Sequence, residues 1–208
     1  MVCDGMGGAA AGEVASSMAV DELMRLLTGH GKPPGSAEAE QAIATVNEAI
    51  LQRSQENQKL SGMGTTLVTL IAEEQHVWML NVGDSRGYRL RHRHLEQITR
   101  DHALVEEQVR LGRMSRAEAL RSPLRNVITR ALGTQICVSP DTFALEPEPG
   151  DLFLLCSDGL TRELDDGLIE SMLSIELPLE QLCEQLIKAA NKAGGHDNIT
   201  CLLVRAEA

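Results

Sequence analysis

Four aspartates spread along the chain stand in glycine- or serine-marked turns at the ends of apolar runs. The settings are Val2-Cys3-Asp4-Gly5-Met6-Gly7-Gly8, Asn81-Val82-Gly83-Asp84-Ser85-Arg86-Gly87, Leu155-Cys156-Ser157-Asp158-Gly159-Leu160 and Gly194-Gly195-His196-Asp197-Asn198-Ile199-Thr200. A strand end followed by a sharp turn holds a carboxylate rigidly and leaves it open to solvent and ligand. Taken singly each is an ordinary turn, because Asp hydrogen-bonds its own backbone and Gly accepts positive φ. Met in space, they would form an acidic metal site. Oxygen donors without His or Cys suit a hard cation, Mg²⁺ or Mn²⁺, better than zinc.

Periodicity supplies the elements that must position these turns. Apolar residues at Val14, Met18, Leu23, Leu26 and Leu27 predict a helix over 13–27, and Ala39, Ile43, Val46 and Ile50 predict a second over 37–55. The loop 28–36, with Gly29, Gly31, Pro33, Pro34 and Gly35, connects them. Stretches 65–72, 76–82, 87–91 and 94–98 are β-branched or alternating, and their short separations, Glu73-Glu74-Gln75 among them, predict an antiparallel meander. A helical excursion over 104–120 breaks at Gly112-Arg113. Later strands are expected at 142–146, 151–156 and 199–205, with helices at 166–173 and 179–193. Pro178 opens the last helix and Gly194-Gly195 closes it. Helices grouped in pairs around runs of strands imply a layered α+β domain.

The 208 residues suffice for one core, and no linker divides them, so a single domain over 1–208 is expected. A net charge of -11 argues against nucleic acid and anionic membranes as partners, although basic residues concentrate between Arg86 and Arg130. No apolar run approaches the ~20 residues of a membrane span, and the start has no signal-peptide pattern. Five cysteines, Cys3, Cys137, Cys156, Cys183 and Cys201, show no C-x-x-C spacing and read as buried free thiols of a cytoplasmic protein. Gly5-x-Gly7-x-x-Ala10 formally matches a dinucleotide fingerprint, but the acidic residues in range, Asp21 and Glu22, fall in a predicted helix.

Six motifs in order extend this reading: Asp4-Gly5-Met6-Gly7-Gly8 with Gly12-Glu13-Val14-Ala15-Ser16; Gly62-Met63-Gly64-Thr65-Thr66; Gly83-Asp84-Ser85-Arg86; Thr99-Arg100-Asp101-His102; Ser157-Asp158-Gly159-Leu160; and Asp197-Asn198-Ile199-Thr200. Over essentially the whole chain they resemble the metal-dependent serine/threonine phosphatases of type 2C, in their bacterial form. The resemblance implies a four-layer αββα sandwich of two antiparallel sheets flanked by helix pairs. It also implies hydrolysis of phosphoserine and phosphothreonine in proteins, opposing Ser/Thr kinases. Two Mn²⁺ or Mg²⁺ ions are implied, with Asp4 bridging both, the Gly5 carbonyl on the second, and Asp158 and Asp197 on the first. Asp101 is implied for a third, weaker ion that shares Asp158, and Asp84 is read as a turn residue of the network. Asn198 and Thr200 are read as anchors of the turn that aims Asp197. Two divalent ions ~4 Å apart activate a water at neutral pH and stabilise the entering and leaving oxygens of an in-line displacement.

The same resemblance implies that 101–133 is a flap beside the active site, with Arg113, Arg116, Arg121, Arg125 and Arg130 as candidate contacts to a phosphoprotein. It places an arginine that grips the substrate phosphate, and an acidic residue near the metals, on strands preceding Asp4. The expectation is therefore a chain lacking its first strands, with an exposed sheet edge, and a monomer when full length. The alternative reading is a weakly active or inactive form that binds phosphoproteins without turning them over.

Overall fold

The computed structural model describes residues 1–28, 33–73 and 76–207. Gly29 and Gly31 of the predicted first loop, and Glu74-Gln75 of the predicted turn, lie outside the described residues. Strand β1 (Gly5–Met6) leads through Gly7 and Gly8 into α1 (Ala9–Leu27), against which α2 (Ser36–Glu56) packs. A short 3-10 turn, Gln58–Leu60, precedes β2 (Gly64–Thr65), β3 (Leu67–Glu73) and β4 (His76–Val82), then β5 (Arg86–Arg91) and β6 (His94–Gln97). Helices α3 (Leu104–Arg110) and α4 (Arg116–Arg121) form the excursion. They are followed by β7 (Asp141–Leu145), β8 (Leu152–Cys156), α5 (Asp158–Thr161), α6 (Asp166–Leu173), α7 (Leu179–Ala193) and β9 (Cys201–Arg205).

Four layers result. Sheet β3-β4-β7 lies under α1 and α2, and sheet β6-β5-β8-β9 lies under α6 and α7, with all pairings antiparallel. Strand β8 shows why the sequence reads as one continuous apolar run. Leu152, Leu154 and Cys156 pack toward α6 and α7, while Phe153 and Leu155 meet Val68 and Met79 between the sheets. Side chains alternate across a strand, so a strand buried on both faces carries no polar alternation. The implied αββα sandwich is thus present.

The predicted single meander is not. Its first two strands pair in one sheet and its last two in the other, and the chain crosses between sheets at Gly83-Asp84-Ser85. Short connections suggest neighbouring strands, but whether the next strand stays in the same sheet depends on partners, here β7 and β8, some 60 residues on. A second difference concerns α1, which starts at Ala9 and buries Ala11, Ala15, Ala19 and Leu23, while Val14, Met18, Leu26 and Leu27 pack only partly. Small residues at four-residue spacing let the helix approach closely, a role that a hydrophobicity stripe does not register. The cysteines are free, but only Cys156 is buried and Cys137 is exposed.

The segment after the excursion is pinned where it returns to the body. Leu132 exchanges backbone bonds with Thr65 of β2 at 2.9 and 3.1 Å. Asn47 of α2, 1% exposed, accepts from Gly133 N at 2.8 Å and donates to the Gln135 and Ile136 carbonyls at 3.0 and 3.3 Å. Asn47→Ala strands the buried Gly133 N–H and is expected to cost on the order of 1–3 kcal/mol, read as a lower urea midpoint with an unchanged slope.

Candidate functional site

Asp4 is positioned by its backbone. Its N–H donates to Thr66 Oγ1 at 3.0 Å, and its carbonyl accepts from Thr66 N and Thr65 Oγ1, both at 2.9 Å. Thr66 Oγ1 lies 2.7 Å from Ser85 Oγ, so the buried hydroxyls of two motifs lock the segment that carries Asp4. A Cβ on Gly5 would run into the Gly12 carbonyl, and Gly7 stands at φ 108, so glycine permits both the approach to α1 and the turn into it.

Ser157 ties the other two turns together. Its N–H donates to the Thr200 carbonyl at 3.0 Å, and its hydroxyl accepts from Thr200 N at 3.0 Å and donates to the Asn198 carbonyl at 3.2 Å. Asp158 therefore opens α5 directly beside the turn that presents Asp197. The expected anchoring by Asn198 and Thr200 is carried by their backbone atoms, and the side chain that matters is Ser157, whose sequence signal was only a small polar residue before Asp-Gly.

These anchors bring like charges together. Burial, reinforced by the charges of Asp158 and Asp197, pushes Asp4 up to about 6. Burial also raises Asp158 above the usual carboxylate range despite the nearby Arg162 guanidinium. Asp84, 8% exposed, is pushed up to about 7 by burial and by the charges of Asp158 and Asp101. Asp84, read from the sequence as a turn and network residue, thus shares the electrostatics of the cluster. Arg162 bridges the group, with Nη2 on Asp158 Oδ2 and Nη1 2.9 Å from Asp197 Oδ2. Asp158 Oδ1 is buried without a hydrogen-bond partner.

Asp101 is placed differently from Asp4, Asp158 and Asp197. Arg86 Nε stands 3.0 Å from each of its oxygens, Arg86 Nη2 lies 2.7 Å from Oδ2, and Gln97 donates to Oδ1 at 2.9 Å. Among the described residues no hydrogen bond or ion pair joins Asp101 to Asp158. Its neighbour His102 accepts from Gly83 N through Nδ1 at 3.0 Å, which leaves the proton on Nε2, 3.3 Å from Asp141. That motif therefore fastens the sheet crossover to the flap.

A cleft of about 830 Å³ separates the flap helices from α5 and α6, with Asp84, Asp158 and Arg162 on one wall and Ala119, Leu120 and Arg125 on the other. Arg130 is paired with Asp141 at 2.8 Å, and Arg116 is 3.9 Å from Glu106. Arg113 and Arg121 are exposed.

Comparison with known proteins agrees with this geometry. The family model described as protein phosphatase 2C matches residues 1–204. The serine/threonine phosphatase stp of Listeria monocytogenes is 41% identical over 215 residues, covering 100% of this chain and 84% of that protein. The crystal structure of the Mycobacterium tuberculosis serine/threonine phosphatase PstP/Ppp superposes with a TM-score of 0.91 at 38% identity, covering 99% of this chain and 87% of that one. The catalytic domain of PstP in complex with 2 manganese ions matches with a TM-score of 0.88 at 36% identity, covering 99% and 86%. The chain belongs to the protein phosphatase 2C family. It is an enzyme of the serine/threonine protein phosphatase class.

The donor set fits a hard divalent ion. Three carboxylates converge, one of their oxygens is buried and unpartnered, and their mutual repulsion asks for a cation. Among the described residues no three acidic, His or Cys side chains form a ready-made cage, and Arg162 occupies oxygens of two of the three. Crowding has a consequence for the metal-free protein. A carboxyl whose folded pKa lies above its unfolded value binds more protons when folded, so its contribution to stability falls as pH rises between the two. For Asp84 that window runs from 3.8 to about 7. In chelator, Asp84→Asn should melt several degrees above the parent at pH 8, with the gap narrowing toward pH 5; a gap independent of pH would contradict the crowding.

Proposed function

We propose that this chain hydrolyses phosphoserine and phosphothreonine in proteins, and that Asp4, the Gly5 carbonyl, Asp158 and Asp197 hold two divalent ions, Mn²⁺ or Mg²⁺. The observation that carries the reading is the buried, unpartnered Asp158 Oδ1 within a ring of mutually destabilised carboxylates. Ions bound there would supply an activated water at neutral pH and neutralise charge on the phosphoryl oxygens.

The chain's own residues set the geometry. Thr66, Ser85 and Ser157 hold the turns so that Asp4, Asp158 and Asp197 converge from three distant segments. Asp84 adds charge from the side, and Arg86 keeps Asp101 at the margin. Asp101 joins a third, weaker ion in this reading only by loosening from Arg86. The cleft beneath the flap, about 830 Å³, has room for a phosphorylated side chain, and Arg116 and Arg125 are the flap arginines that line it. Arg116 also stands 3.9 Å from Glu106, whereas Arg130 pairs with Asp141 at 2.8 Å.

The proposed substrates are phosphorylated proteins, including Ser/Thr kinases and their targets, in cytoplasmic signalling by a monomer. The net charge of -11 disfavours nucleic acid, and no helix among the described residues is long and apolar enough to cross a membrane.

Phosphate release from a phosphothreonine peptide is expected with Mn²⁺ and not with chelator. Asp158→Asn should lower turnover by ~10²-fold or more, since even residues that only support ligands cost 10–100-fold. Retention of both turnover and Mn²⁺ affinity in that variant would remove the assignment. Arg125→Ala should raise KM for the peptide severalfold with kcat little changed, whereas Arg113→Ala should leave both as they were.

A further inference from the structure

Arg162 is the residue that the chemistry above leaves unused. It caps α5 one turn after Asp158, so its position on the cluster is built into the helix. Nη1 takes Asp197 Oδ2, and the other oxygen of Asp197 already accepts from Asn198 N at 2.8 Å. Nη2 takes Asp158 Oδ2, which leaves Oδ1 as that residue's free oxygen. Hard divalent ions such as Mg²⁺ draw their oxygen ligands in to about 2.0–2.1 Å. An ion recruiting Asp197 therefore competes with the Arg162 guanidinium for Oδ2, in space and in charge.

We propose that Arg162 is an internal counter-cation that bridges Asp158 and Asp197 in the metal-free protein and that a divalent ion must displace from Asp197 to bind. The inference rests on the metal reading given above. The guanidinium fork is suited to the task because it spans two carboxylates at once, which a lysine ammonium does less well. Its side chain is 36% exposed and borders the cleft beside Asp165 and Asp166, so a displaced guanidinium has room and acceptors. Without the ion, Arg162 neutralises part of a buried acidic cluster. With the ion, the bridge lowers apparent affinity by the fraction of molecules in which it is open.

The test is calorimetric titration of Mn²⁺ into the full chain, its R162Q variant and its R162K variant, together with thermal unfolding in chelator. If the bridge is closed in about nine molecules of ten, R162Q binds Mn²⁺ about tenfold more tightly and melts lower than the parent in chelator. R162K keeps the charge and loses the fork, so it too should bind more tightly, though by less. Parental affinity in R162K would mean that charge alone acts, and would overturn the bridge. Unchanged or weaker binding in R162Q, with circular dichroism showing a folded protein, would overturn it as well. Absence of Mn²⁺ binding by all three would remove the metal reading itself, whereas equal binding by all three removes only the bridge.

Discussion

Like-charge crowding at one end of the two sheets is the constraint around which the rest of the molecule is organised. Asp4, Asp84 and Asp158 all lie above the ordinary carboxylate range because burial and mutual repulsion disfavour their charged forms. Left to local preference, such groups would turn toward water. They are held because the backbone on either side of each is stitched into long-range pairing, Asp4 to the segment around Thr66 and Asp158 to the turn before β9. The core contributes indirectly, through rigidity. Leu155 and Cys156 at the end of β8 are fully buried, so the turn that follows cannot swing.

Cations resolve the crowding in two ways. Arg86 takes Asp101 with a fork and ties it toward Tyr88, whose hydroxyl reaches Asp166 at 3.0 Å. Arg162 takes Asp158 and Asp197. Both are arginines, in keeping with the fit of a planar fork to carboxylates in partly dry surroundings. They differ in what they leave free. Asp101 has partners on both oxygens, whereas Asp158 keeps one buried oxygen without any. That asymmetry separates the centre of the site from its margin.

The flap is fastened differently from the body. Its own small cluster of Ala103, Val105 and Ala119 is separate from the three larger ones, and several of its larger apolar side chains, including Leu111, Leu120 and Leu124, are exposed. What joins it to the body is His102 on the sheet crossover, Asn47 on the backbone at Gly133, and Leu132 buried in the core under α1 and α2. An element held by a few hydrogen bonds over a small core can shift without disturbing the sandwich. That suits a segment forming one wall of the proposed substrate cleft.

Turn chemistry and periodicity are properties of neighbouring residues, and these were open to a reading of the chain alone. The four Asp turns, the helices over 166–173 and 179–193, the break in the excursion at Gly112 and the ordered motifs of the family could all be read that way. The matching structure bears out the helices and the sandwich. Other features depend on residues that meet only after folding. The division of the expected meander between two sheets, the alanine face of α1, the capture of Asp101 by Arg86 and the bridge made by Arg162 belong to this group. Asp158 and Arg162 are four residues apart, yet the bridge exists because Asp197 arrives from 35 residues away on the turn that Ser157 holds. No local pattern encodes which turns meet. That is decided by sheet register and by which faces can be buried together.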